Sequence, residues 1–167
     1  MTTSILLPGQ LFASETETIG NVALLSLGKI AFLCSRNIPA GAVLKCYDWA
    51  IAERDAGHCI ISGFHSKIEK DVLEYLFKGK QPIIVCPARG LGRSMENKFR
   101  PYLDEGRLLI ITTFSRQTKR VTEETALARN RFMIDLADKI VVGYANPQGR
   151  LGGLVDSTDK PVCHLYR

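Results

Sequence analysis

The sequence lacks the long hydrophobic runs that cross membranes. Its apolar stretches, such as Ile60-Ile61 and Ile83–Cys86, have the length of buried strands. They fall well short of the roughly 18 apolar residues that a transmembrane helix needs. Residues 1–10 carry neither the basic segment nor the long apolar core of a secretory signal peptide. These absences predict a cytoplasmic protein with no membrane partner.

Cysteine is sparse and widely spaced. The five cysteines are an odd number, and no two of them form a C-x-x-C pair. Three of them, Cys34, Cys59 and Cys86, lie in apolar, strand-like runs, where cysteine packs as a small hydrophobic residue. The pattern therefore predicts neither a disulfide framework nor a metal site, and it fits a reducing compartment.

Two phosphate-binding signatures are also missing. No G-x-G-x-x-G follows the first predicted strand, and G-x-x-x-x-G-K-[ST] occurs nowhere. Both absences disfavour conventional NAD binding and P-loop hydrolysis. We accordingly expect no cofactor.

What the sequence does contain is an alternation of short apolar runs with amphipathic helical stretches. The near-continuous apolar runs indicate parallel strands buried on both faces, and parallel strands need crossover connections. The pattern predicts an α/β fold: a Rossmann-like, doubly wound, mostly parallel sheet of about five or six strands flanked by helices. Its 167 residues suit one domain, residues 1–167, with residues 1–28 as an N-terminal extension packed on it. The predicted strands are 29–34, 58–62, 82–86, 108–113 and 139–144, with a sixth candidate at 162–166.

The first predicted helix lies between the first two strands. Its buried face is predicted from apolar residues at helical spacing, namely Val43, Leu44, Tyr47, Ala50 and Ile51.

Positive charge is concentrated in one segment. Between Arg89 and Arg131, ten basic residues stand against five acidic ones, which accounts for the whole net charge of +5. Clustered positive charge favours a polyanionic partner through counterion release. A solvated helix face of mixed charge would have the same composition.

The loops that follow the predicted strands carry the candidate site. Carboxyl ends of parallel strands meet at one edge of a sheet, where helix N-termini attract anions. Each of the five loops there has an arginine, a Ser/Gly-rich turn or both, and an R-N-R sequence lies in the helix before the fifth strand. We predict a site for a phosphate-bearing ligand. The candidate residues are Ser35, Arg36, Ser62, Gly63, Phe64, His65, Ser66, Arg89, Arg129, Asn130, Arg131 and Gly149.

Glu69 and His65 have two interpretations. Ser66 and Glu69 match the S-x-x-E capping box, in which each satisfies a free backbone N–H at a helix start. His65 and Glu69 are also the candidate catalytic pair, a base and its orienting carboxylate. The sequence leaves open whether any reaction is catalysed.

Three short motifs resemble those of the DNA-processing protein A (DprA/Smf) family. Cys34-Ser35-Arg36 resembles the family's G-S-R, Ile60–Gly63 resembles its V-S-G, and Arg129–Arg131 resembles its R-N-R, in the same order. The resemblance covers about residues 28–153. It is closest to a short, stand-alone bacterial branch that carries S-G-F-H-S-x-x-E-K, here 62–70, and Q-P-x-x-x-C-P-A-R, here 81–89.

The resemblance implies a Rossmann-like fold of the wider LOG/SLOG superfamily. In DprA proper this fold binds single-stranded DNA in a positive pocket and dimerises, so the resemblance implies single-stranded DNA as partner and a homodimer. Elsewhere in the superfamily the same pocket binds or cleaves nucleotide derivatives. The sequence departs from the family at Cys34, which replaces a glycine, and at residues 64–68, which replace A-x-G-I-D. The P-G-G-x-G-T-x-x-E signature of LOG hydrolases is also missing.

Three functions follow from these observations. In the first, arginines 36, 89, 129 and 131 hold the phosphates of single-stranded DNA while Phe64 or Phe114 stacks a base. The alternative is a LOG/SLOG-type pocket for a nucleotide or nucleotide derivative, with or without hydrolysis. The third is an interaction domain that has kept the fold and lost the ligand.

Overall fold

The structure is a computed structural model that describes residues 3–5 and 16–167. Its strands are β1 (Thr3–Ile5), β2 (Thr16–Gly20), β3 (Lys29–Leu33), β4 (Cys59–Ser62), β5 (Ile83–Val85), β6 (Leu108–Thr112), β7 (Lys139–Val142) and β8 (Val162–His164). Its α-helices are α1 (Ala40–Ala56), α2 (Lys67–Phe77), α3 (Arg93–Asp104), α4 (Glu123–Leu136) and α5 (Leu151–Asp156), with one 3₁₀ helix at Val22–Ser26.

The described strands form one sheet in the order β1-β2-β6-β5-β4-β3-β7-β8. Strands β3 to β8 are mutually parallel. The predicted Rossmann-like fold is therefore confirmed, as are all six strands predicted after residue 28. The sheet is larger than predicted because β2 pairs antiparallel with β6, and β1 pairs antiparallel with β2.

Helices cover both faces of the sheet. Alternate residues of one strand enter different cores: Phe32 packs on one face, whereas Ala31 and Leu33 pack on the other. The first core receives α1, α2 and α3 through residues such as Trp49 and Leu76, and the second receives α4 and α5. Burial on both faces explains the near-continuous apolar runs of the central strands.

The predicted buried face of α1 is wrong in part. Leu44 is 65% exposed, whereas Cys46 and Trp49 are buried, and the ring of Trp49 stacks on Phe32 with centroids 4.8 Å apart. The buried residues Ala42, Cys46, Trp49 and Ala50 follow the helical period. The prediction favoured the larger aliphatic residues and so placed the buried face about one residue, or roughly 100°, around the helix from its true position.

The strand order creates a crevice beside β3. From this strand the chain passes through α1 to β4 on one side, while β7, reached from α4, lies on the other side. Loops that leave neighbouring strands in opposite directions open a space between them, which is where open α/β sheets bind ligands. Within the described residues no helix is both long enough and apolar enough to cross a membrane.

Candidate functional site

Two cavities lie side by side at the carboxyl ends of the parallel strands. The first cavity, of about 490 Å³, is lined by residues 34–37, 65, 66, 69, 121–123, 126, 127, 129, 130, 146 and 149–151. The second cavity, of about 680 Å³, is lined by residues 63–65, 70, 85, 87–89, 94, 95, 98, 99, 119–121 and 129. Three residues line both: His65, Val121 and Arg129. These three form a shared wall between the cavities.

Arg129 provides the positive charge of this wall. It is 5% exposed, its Nε donates to Asn130 Oδ1 at 2.8 Å, and its Nη1 donates to the carbonyl of Cys86 at 3.3 Å. No carboxylate within residues 16–167 forms an ion pair with it. A buried charge without a counter-ion costs several kcal/mol. The guanidinium is therefore a strong attractor for an anion that enters either cavity.

Gly63 makes room for this guanidinium. A Cβ on Gly63 would lie 1.8 Å from Arg129 Nη1 and 2.3 Å from Cζ. Any side chain here would displace the arginine from its position under the cavities. The glycine of the S-G motif and the first arginine of R-N-R thus form one structural unit.

The loops after β3 and β7 build the far side of the first cavity. The hydroxyl of Ser35 accepts from the backbone N–H of Asn146 at 2.8 Å, and the N–H of Ser35 donates to the carbonyl of Tyr144 at 2.8 Å. Asn146 in turn accepts from the N–H of Gln148 through its side chain at 3.0 Å. These bonds join the two loops, which carry Arg36 and Gly149 into the lining of the same cavity.

The loops after β5 and β6 build the second cavity. Thr112 Oγ1 donates to the carbonyl of Arg89 at 2.9 Å and accepts from the N–H of Phe114 at 3.1 Å. Gly90 donates to the carbonyl of Thr118 at 3.0 Å, and a Cβ on it would lie 2.2 Å from the carbonyl oxygen of Ser115. The two loops are therefore locked together, and they hold Arg89 beside residues 119–121.

Phe64, in the loop between β4 and α2, takes an unusual backbone conformation. Its φ is +48°, and within the described chain it is the one non-glycine residue with a positive φ. Such a conformation costs on the order of 1 kcal/mol and persists where the surroundings impose it. The ring is only 4% exposed, so a base could reach it only through the second cavity, which it lines.

Glu69 is a capping residue. Its Oε2 accepts from the backbone N–H groups of His65 at 2.9 Å and Ser66 at 3.0 Å, while Ser66 Oγ accepts from the N–H of Glu69. The predicted capping box is confirmed. The carboxylate thus receives backbone donors rather than the imidazole of His65, and the catalytic role of this pair stays a prediction.

His65 lies in a positive environment. Partial burial lowers its pKa, and the nearby charges of Arg129, Arg36 and Lys70 lower it further, against a weaker opposite effect of Glu69. The imidazole is therefore neutral at pH 7. An anion in either cavity would offset these cations and favour its protonation.

Cys34, the departure from the family's glycine, lies at the floor of the first cavity. Its thiol is packed close to that of Cys46, and a Cβ on Gly143 would lie 2.7 Å from Cys46 Sγ and 3.0 Å from Cys34 Sγ. The hydrogen bond with Cys46 and burial raise the pKa of Cys34. The protonated thiol is a poor nucleophile.

The two cavities differ in charge balance. The first is lined by three arginines, 36, 129 and 150, and by two glutamates, 69 and 123. Its Arg150 donates to Glu124 at 2.8 Å and lies 3.8 Å from Glu123. The second is lined by six basic residues and, among the described residues that line it, by no acidic one. These six are Lys70, Arg89, Lys98, Lys119, Arg120 and Arg129. None of the six forms an ion pair within residues 16–167.

Most of the predicted site residues come together here. Those that line the first cavity are Ser35, Arg36, His65, Ser66, Arg129, Asn130 and Gly149. Those that line the second are Gly63, Phe64, His65, Arg89 and Arg129. Two lie elsewhere: Ser62 is buried with its hydroxyl donating to the carbonyl of Phe32, and Arg131 is exposed on α4, about 200° around the helix from Arg129. The ligand-binding roles themselves stay predictions.

Sequence reasoning missed four basic residues of the second cavity. Lys70, Lys98, Lys119 and Arg120 were not among the candidates, although three of them belong to the basic segment between Arg89 and Arg131. They come from the first turn of α2, the middle of α3 and the loop before α4. The excess of positive charge in the sequence was the available signal, but it does not show which of these side chains face the cavity.

Solved structures share this architecture. DNA processing protein A from Helicobacter pylori, studied for its single-stranded DNA binding mode, matches with a TM-score of 0.75 at 16% identity, over 98% of this chain and 80% of that one. DprA from Streptococcus pneumoniae matches with a TM-score of 0.71 at 16% identity, over 90% of this chain and 54% of that one. The chain has the DprA fold. The fold implied by the three short motifs is thereby confirmed.

A more distant match is the Moco carrier protein from Chlamydomonas reinhardtii, with a TM-score of 0.51 at 10% identity over 83% of this chain and 75% of that one. No family model and no curated protein sequence matches the chain.

Within its described residues, no group of three His, Cys, Asp or Glu side chains is placed to hold a metal ion.

Proposed function

We propose that this protein binds single-stranded DNA through phosphate contacts at the carboxyl ends of its parallel strands. The observation that carries the proposal is Arg129, a buried guanidinium without a counter-ion in the described chain, placed where both cavities meet. A polyanion would supply the missing negative charge. The H. pylori protein of the same fold is described as binding single-stranded DNA, which supports the same class of ligand here.

The exposed cations of the second cavity would act with Arg129. Lys98 and Lys119 lie near the rim, where they attract phosphates and release counter-ions from the strand. The side-chain amides of Asn37, Asn130 and Asn146 line the first cavity and offer donors and acceptors to a base or a sugar. Phosphates would then fix the strand, and the amides would contact its nucleosides.

A nucleotide or nucleotide-derivative ligand is the second candidate. It is favoured by the volume of the first cavity, about 490 Å³, which is in the range of small-molecule sites. As in the first proposal, Arg129 would contact a phosphate. The two candidates differ in salt dependence, because a strand contacts several phosphates and a nucleotide contacts few. A homodimer and a cytoplasmic location complete the proposal.

The test is fluorescence anisotropy of a short labelled oligonucleotide, titrated with the protein at low and at physiological salt. We expect tight binding at low salt that weakens with a slope of about −0.7 per phosphate contact. The variant Arg89→Gln/Lys98→Gln should bind more weakly. A matched control, Lys80→Gln/Lys139→Gln, removes two exposed lysines from the opposite end of the strands and should bind like the wild type. Absence of binding at low salt would reject the proposal in favour of the nucleotide ligand.

A further inference from the structure

We propose that the second cavity is a site for a terminal phosphate, the phosphomonoester at a strand end or on a nucleotide. The inference rests on the proposed function, because the rest of the strand would lie over the same edge of the sheet. It adds a preference for strand ends over strand interiors. The argument uses the charge of the second cavity, its donors and its wall.

The charge of the second cavity exceeds what a phosphodiester neutralises. Elsewhere in the described chain, seven Lys and Arg side chains have acidic partners, and none of those seven lines this cavity. Here six cations line one cavity without a carboxylate, and five of the six are exposed. A terminal phosphate carries about −1.5 to −2 charges at pH 7, against about −1 for an internal phosphodiester. The cavity therefore favours the terminal group.

The donors of the second cavity suit three phosphate oxygens. Arg129 is 95% buried and reaches the cavity from the side of α4. On another side, Ser94 lies in the first turn of α3, whose N-cap Gly92 makes no side-chain capping bond. The free N–H groups of a helix start and a guanidinium are both good phosphate donors. Both kinds of donor line the same cavity.

The wall of His65, Val121 and Arg129 gives the preference its physical basis. These three residues bound the second cavity on the side of the first. On that side the wall stops a strand from continuing past the cavity, so an internal phosphate can bind only if the chain on both of its sides leaves through the remaining, open sides. A terminal phosphate enters with one chain segment behind it, so it loses less conformational freedom and brings more charge.

The experiment compares oligonucleotides of one sequence with and without an end phosphate. One pair carries a 5′-phosphate or a 5′-hydroxyl and a 3′ label, and a second pair carries a 3′-phosphate or a 3′-hydroxyl and a 5′ label. We expect an end phosphate to tighten binding about tenfold in at least one pair. The gain should vanish in Lys98→Gln/Lys119→Gln and persist in Lys80→Gln/Lys139→Gln. All four substituted lysines are exposed, and thermal unfolding of each variant verifies that the fold is kept.

The possible results separate this inference from the proposed function. Equal binding of phosphorylated and unphosphorylated ends overturns the terminal-phosphate site but leaves strand binding intact. No binding of either end form or of a nucleoside monophosphate at low salt overturns both. A nucleoside monophosphate that binds when neither end form does supports the terminal-phosphate site and overturns the proposed function instead.

Discussion

The first and second cavities share a wall, yet only the first is lined by acidic as well as basic residues. In the first cavity Arg150 is paired with Glu123 and Glu124, and the Glu69 carboxylate is held by backbone donors. In the second cavity every basic side chain lacks an acidic partner within residues 16–167. Of the basic residues that line the second cavity, Arg129 is buried and the other five are exposed, so the buried charge that a ligand would complete is that of Arg129. The comparison separates a first cavity, where acidic residues accompany the arginines, from a second cavity whose charged lining is basic alone.

The largest effect is expected at the shared wall. Arg129→Met should weaken oligonucleotide binding about 100-fold, because a buried contact between charged groups is lost. The free energy of unfolding should stay the same or rise, since the variant removes an uncompensated buried charge. Anisotropy and thermal unfolding measure the two effects.

Arg107→Met is the matched control for Arg129→Met. Its side chain is 10% exposed, but it pairs with Glu105 at 2.7 Å and donates to the carbonyl of Phe77 at 3.0 Å, away from both cavities. This variant should lose stability and keep binding. If Arg129→Met is destabilised as strongly as Arg107→Met, Arg129 is an ordinary structural arginine.

Gly63→Ala should weaken binding about tenfold by displacing the guanidinium of Arg129, which its Cβ would otherwise overlap. In an Arg129→Met background the same change should have little further effect on binding, because the two residues act as one unit. Gly28→Ala is the control, since nothing lies within 4 Å of the position that its Cβ would take. Additive effects of Gly63→Ala and Arg129→Met would contradict the coupling.

The next effect distinguishes the two cavities by the salt dependence of oligonucleotide affinity in variants of each cavity. Lys98→Gln/Lys119→Gln should reduce the slope of log affinity against log salt by about 1.4, which is two lost phosphate contacts. Arg150→Gln in the first cavity should change the slope far less, because Glu123 and Glu124 already compensate that charge. Equal changes in slope would remove the distinction between the cavities.

The smallest effect concerns pH. The pKa of His65 is lowered, mainly by burial and then by Arg129 and Arg36. Protonation of His65 therefore destabilises the folded protein when no ligand is bound. The associated stability is present above the histidine's ordinary pKa of about 6.5 and is lost as the pH falls below it. Bound phosphate raises the pKa, so binding should strengthen about threefold as the pH falls from about 7 to about 5.5. His65→Gln should abolish this change in anisotropy titrations, and an unchanged pH profile would place His65 away from the ligand.

The fold was predictable from the sequence because the central strands are buried on both faces. Strands β3 to β7 consist of apolar runs that few other structures produce. Strand β2 escaped prediction because Thr16, Glu17 and Thr18 look like loop residues, although both threonines are buried in the sheet. The location of the site was predictable once the strands were known, because parallel strands place their carboxyl ends, and the loops that follow them, at one edge of the sheet.

The division of the site into two cavities was not predictable. It depends on the contact of the Arg129 guanidinium with Gly63, and those two residues are 66 positions apart in the chain. It also depends on loops after β5 and β6 that are locked through Gly90. Periodicity indicates that Arg129 and Arg131 point in different directions, but not which of them faces the ligand edge.

The measurement that tests the central claim most directly is the NMR signal of the Arg129 Nε–H during a titration with single-stranded DNA. This proton is held by Asn130 Oδ1 at 2.8 Å on a 5% exposed side chain, so it should exchange slowly enough to observe. Loss of one signal in Arg129→Met assigns it. We predict a shift that saturates together with DNA binding and reverses when salt releases the strand. A signal that stays fixed while DNA binds would contradict the claim that Arg129 is the phosphate contact at the centre of the site.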